Sequence, residues 1–157
     1  MNLTAELEKK LLNDIELYGW HVIKVPEDDI GPSYGHSIGF YRSFEHPEVI
    51  IIGLELNAVH YILNRIGDAI REGTVLQPGQ FYSNIIEDVD CYFTLVDPKY
   101  YNEYVSYAKL LYKDTDFPLL QCIYPTISGI YPWQAEWPKE LKSVQPFLGH
   151  KSTSNLD

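Results

Sequence analysis

Residues Val49 to Leu54 read Val-Ile-Ile-Ile-Gly-Leu, four β-branched side chains in a row with no polar face. Such side chains favour pleated backbone, and a strand that is apolar at odd and even positions alike needs both faces covered. The run therefore predicts a strand in the middle of a sheet. The chain has 157 residues, room for one compact domain, taken as residues 1–150 with a frayed tail at 151–157.

The flanking punctuation supplies the rest. Leu3, Leu7, Leu11 and Ile15 recur at helical spacing before Gly19, which predicts an amphipathic helix over 3–18 with a left-handed glycine after it. "WHVIKV" is a strand stopped by Pro26, "EDDIGPS" an exposed loop, "YGHSIGFY" a second strand, and "RSFEHPE" a turn into the central one. Asn57 is placed to cap a second helix with the stripe Ile62, Leu63, Ile66 and Ile70, ending at Gly73. Strands at "YSNIIE" and "CYFTLV" lead to Asp97-Pro98, which caps and opens a third helix reaching about Lys113. "PLLQCIYP" is a strand, and the proline- and aromatic-rich remainder is irregular coil held by aromatic burial. Runs of strands between helices indicate an α+β domain: a mostly antiparallel central sheet, about three helices, and helices covering one face.

At net charge -10 the chain repels phosphate backbones, which disfavours nucleic acid as a partner. The acid is clumped in Glu27, Asp28 and Asp29, in Glu87, Asp88 and Asp90, and across a span from Glu72 to Asp97 without lysine or arginine. These runs suit a basic partner, or they merely solvate loops. No apolar stretch is long enough to span a bilayer and the first residues lack a secretory pattern, so a cytoplasmic location is expected. Cys91 and Cys122, in apolar surroundings, read as small buried hydrophobes.

In the order "GWHVIKV", "YGHSIGF", "HPEVIIIGL", "LN", "PGQ", "LQCIYPTISGIYPWQ" and "QPFLG", from about residue 15 to 149, the chain resembles the bacterial family called domain of unknown function 4262. Members commonly show "FAYTIGL" where this chain has "YGHSIGF", so that His36 stands for a tyrosine and Ser37 for a threonine. An acidic residue often stands in that family where Thr126 or Ser128 is here. The resemblance implies the fold and no reaction.

The five histidines are scattered, none at the spacing that puts two imidazoles on one helix face, and no metal or cofactor is expected. Ser37 and Ser43 lack the Gly-x-Ser-x-Gly elbow, and Gly31, Gly35 and Gly39 lack the lysine of a phosphate cradle and serve bends or close approach instead. Two readings stay open. The first is a non-enzymatic binding protein whose acidic clusters dock a basic protein, in concrete form an immunity protein neutralising a toxin such as a nuclease. The second is an enzyme or small-ligand binder with a pocket near Tyr34, His36, His46, Glu48 and Trp133. Oligomeric state is not legible.

Overall fold

The structure, a computed structural model, describes residues 2–113 and 115–149. Helix α1 (Asn2–Tyr18) precedes β1 (His21–Val25) and β2 (Tyr34–Ile38); the short α2 (Phe40–Phe44) leads to β3 (Glu48–Ile52) and α3 (Leu56–Arg71). Strands β4 (Gln80–Ile86) and β5 (Val89–Leu95) follow, then α4 (Tyr101–Tyr104), α5 (Ser106–Tyr112) and β6 (Leu119–Ile123). The expected tail at 151–157 lies outside the described residues, as does His150. None of the described helices is long and apolar enough to cross a membrane.

The architecture is α+β, built on one six-stranded sheet in the order β1-β2-β3-β6-β5-β4. It consists of two three-stranded antiparallel meanders, β1-β2-β3 and β4-β5-β6, joined side by side where β3 runs parallel to β6. The sheet is thus mostly antiparallel, as expected, but mixed at its centre. β3 is that centre: all five of its residues are buried. Fully burying each isoleucine contributes roughly 2–3 kcal/mol of transfer free energy.

Helices cover both faces, not one. Val49 and Ile51 face α3, whose Val59, Ile62, Leu63, Ile66 and Ile70 form one apolar layer with Trp20, Phe93 and Cys122. Ile50 and Ile52 face the opposite layer, which holds Leu11 and Ile15 of α1, Val105, Ala108 of α5, Phe117 and Leu148. The run Val49–Ile52, apolar at every position, needs this double cover, and the chain meets it with α3 on one face and α1, α4 and α5 on the other.

Three local expectations shift. The corner read as strand and turn is α2, because Gly39 (φ 126) ends β2 and redirects the chain. α3 starts at Leu56 with Glu55 at the cap position, so Asn57 lies inside the first turn rather than capping it. The third helix is broken: Asp97 does accept the Lys99 amide at 3.1 Å, but Val105, off helical geometry at φ -128 and ψ 37, separates α4 from α5. Five α-helices, not three, are therefore present among the described residues.

The irregular segment after β6 is pinned by two glutamines. The Gln121 amide donates to the Pro146 carbonyl (2.7 Å) and its oxygen accepts from Leu148 N–H (2.8 Å). Gln145 reciprocates on Tyr124, accepting from its N–H (3.1 Å) and donating to its carbonyl (3.0 Å). Two bonds at each point replace the ladder that a coil lacks.

Candidate functional site

The corner from Ser37 to Glu48 is a single hydrogen-bonded unit. A helix leaves its first amides without internal partners, and here a buried carboxylate from the next strand fills that role. Glu48 Oε2 accepts from Gly39 N–H (2.9 Å) and Tyr41 N–H (3.1 Å), and Oε1 from Phe40 N–H (3.1 Å) and the Ser37 hydroxyl (2.7 Å). Tyr112 of α5 also donates its hydroxyl to Oε2. Ser37 in turn accepts Val49 N–H at 3.0 Å. Burial pushes the Glu48 carboxyl up, while the bonds from Tyr112, Ser37, Gly39 and Tyr41 pull it down. With both oxygens committed to hydrogen bonds within the fold, this carboxylate holds the corner together.

The other residues of the expected pocket are dispersed. His36 is fully buried between the cross-strand neighbours Ile23 and Ile50; its Nδ1 lies 3.1 Å from the Ser37 carbonyl and its Nε2 has no partner. Burial lowers its pKa to about 4, so the ring is neutral. His46 accepts Leu76 N–H at Nε2 (2.9 Å), which puts its proton on Nδ1, 2.8 Å from the Pro47 carbonyl. Trp133 lies across the β4-β5 edge, stacked on Tyr131 (centroids 5.0 Å, 14°) and edge-on to Tyr92. Tyr34 meets Tyr104 instead, edge to face at 5.1 Å. Among the described residues no hydrogen bond joins any two of Tyr34, His36, His46, Glu48 and Trp133, and no three His, Cys, Asp or Glu side chains stand together as a metal site would require. Cys91 and Cys122 are buried neighbours, and burial pushes the Cys122 thiol up.

The acidic residues are brought together at a coarser scale. β3 and β6 run the same way, so the end at which they finish is also where β1 and β4 finish and β2 and β5 begin. The β1–β2 loop with Glu27, Asp28 and Asp29 and the β4–β5 hairpin with Glu87, Asp88 and Asp90 therefore project from one end of the sheet, at its two lateral edges. Four strand spacings separate the middles of the two loops, roughly 19 Å. All six side chains are exposed and, among the described residues, none is in an ion pair. The loops are shaped locally: the Asp28 carboxylate accepts Ile30 and Gly31 N–H, and Asp88 takes the left-handed region (φ 70).

Periodicity gave no sign of the apolar residues at this end. Ile30, between the acids and Gly31, is 91% exposed, and Ile127, in the turn after β6, is wholly exposed. The Tyr131 hydroxyl donates to the Asp90 carbonyl (2.7 Å), tying that turn's continuation to the β5 start. Beside the first loop, Tyr34 and Tyr104 wall a cleft of about 440 Å³ rimmed by Asp28 and Glu103. Burial, then the Glu103 and Asp28 charges, raise the Tyr34 hydroxyl. A lone apolar residue in a polar loop has no repeat to betray it; only its exposure does.

No curated protein and no solved structure matches the chain. The family model described as Domain of unknown function (DUF4262) matches residues 14–138, most of the chain and the whole of the Ser37–Glu48 corner, and the chain belongs to that family.

Proposed function

We propose that this chain is a cytoplasmic, non-enzymatic binding protein that docks a basic protein through the acidic end of its sheet, in concrete form an immunity protein against a basic bacterial toxin such as a nuclease. The observation that carries the reading is that two acidic runs far apart in sequence share one end, with no ion pair among the described residues, and that Ile30 in the first loop and Ile127 in the turn after β6 are exposed. Such a surface steers a cationic partner at long range and supplies apolar anchors at contact. The same charge repels nucleic acid.

The test is affinity for a basic protein encoded beside this chain, measured for the natural sequence and for a variant with Glu27, Asp28, Asp29, Glu87, Asp88 and Asp90 all changed to lysine. Tight binding that weakens as salt rises and is abolished in the variant supports the reading. Undiminished binding by the variant removes it.

A second reading, a small-ligand site, draws on the Tyr34–Tyr104 cleft. A ligand seated there raises the thermal midpoint, and Tyr34→Ala cancels the rise.

A further inference from the structure

β1 is an outer strand: it pairs with β2 on one side and, among the described residues, with no strand on the other. Among the described residues, the backbone groups of His21–Val25 make no hydrogen bond beyond that pairing. Exposed edges of this kind are normally covered, kinked or heavily charged, and β1 carries one charged residue, Lys24, in its length. The edge forms the floor of a groove of about 1110 Å³, walled by Leu7, Lys10 and Asp14 of α1 and by His60, Asn64 and Arg71 of α3. One more strand, at about 4.8 Å spacing, would lie along that floor.

The groove also reverses the sign of the molecule. The chain as a whole carries -10, yet the groove is lined by Lys10, Lys24 and Arg71 against Asp14 and Asp68. Both acids are engaged: Asp14 by His21 (2.6 Å) and Lys10 (3.4 Å), Asp68 by Arg71 at 3.8 Å. Lys24 has no acidic partner among the described residues, and after burial its charge is the next cause lowering His60. The two walls differ in character. Ile23 and Val25 turn towards α1 and Leu7, whereas Val22 packs in the α3 layer and Lys24 points the same way, beside Gly35 and Val59.

We propose that this groove binds an extended acidic segment of another protein, added along β1 as a seventh strand. Alternation along a strand assigns its side chains: carboxylates at every second position face Lys24 and His60, and apolar residues between them face Leu7 and Tyr107. Main-chain bonds hold the segment and the two walls select its pattern. The site is lateral to the acidic end, so it stands or falls separately from the proposed basic-partner docking.

The experiment is fluorescence anisotropy with dye-labelled peptides of about six residues: one alternating glutamate and valine, one of the same composition with the glutamates in a block, and one alternating but N-methylated on the amides of one edge. The alternating peptide binds, salt weakens it, and the block and N-methylated peptides bind at least about tenfold more weakly. Lys24→Glu, an exposed change, weakens the alternating peptide at least about tenfold with the thermal midpoint unchanged. Amide exchange of β1 slows when the peptide is added. Equal binding of the block or N-methylated peptide, or no binding at all, overturns the proposal. So does self-association that Lys24→Glu breaks and the alternating peptide fails to compete, since the occupant is then a second copy of this chain.

Discussion

The hydroxyl of Tyr112 donates to the carboxylate of Glu48, tying the last residue of α5 to the first residue of β3. Glu48→Ala strands the Ser37 hydroxyl and three backbone amides in the interior, at an expected cost of about 3–5 kcal/mol. Tyr112→Phe removes one donor and leaves four, at about 1–3 kcal/mol. Urea unfolding of both variants checks the ranking. A smaller loss for Glu48→Ala than for Tyr112→Phe would mean that the corner is not organised by this carboxylate.

His36 titrates near 4 in the fold against 6.5 for a free imidazole. Between those values the unfolded chain takes up a proton that the folded chain refuses, so its share of stability is whole above 6.5 and is lost as the pH falls towards 4. From about pH 7 to about pH 5 the loss is about 2 kcal/mol. His36→Leu, which also removes a buried nitrogen without a partner, flattens that part of the profile. Burial of Glu48 works in the opposite sense and that of His46 in the same sense, and both cancel when the two proteins are compared. Equal pH profiles for both would show that His36 is not the group that titrates.

The three glycines at 31, 35 and 39 separate by role. A Cβ on Gly39 would stand 2.6 Å from the Gly19 carbonyl oxygen at a positive φ, and one on Gly35 would stand 2.4 Å from Val59 Cγ1 and 2.8 Å from the Ile23 carbonyl oxygen. Alanine at either costs about 2 kcal/mol or more. Gly31 has nothing within 4 Å and no positive φ, and Gly31→Ala leaves the thermal midpoint within about 2 °C of the parent.

Ile30→Ser tests the acidic end without touching its charge. Stability stays within about 0.5 kcal/mol, since the side chain packs on nothing that folding buries. Affinity for the basic partner falls about tenfold or more if Ile30 anchors the contact. Calorimetry of the pair reads both quantities, and unchanged affinity leaves the isoleucine outside the interface.

The central strand was legible because Val49–Ile52 is β-branched throughout, and the first acidic loop because Pro26 and Gly31 bracket it. Which face α1 covers was not legible: Leu7, Leu11 and Ile15 declare an apolar stripe and say nothing of which side of the sheet receives it. α2 was missed since five residues carry no period, and the group that stabilises its start belongs to β3. The break at Val105 sits inside the stripe Tyr101, Val105, Ala108 and Tyr112, whose helical spacing is uninterrupted in the sequence. That the two acidic runs share an end depends on strand order, a property no local stretch contains.

The parallel seam between β3 and β6 sets an order of assembly. Each meander forms from neighbours along the chain, whereas the seam must wait for a long loop to close. Until then Val49–Ile52, wholly enclosed in the finished protein, is the bare margin of a half-made sheet. A nascent chain stalled before Leu119 therefore exposes its stickiest segment, and it is at that moment that a chaperone has something to hold.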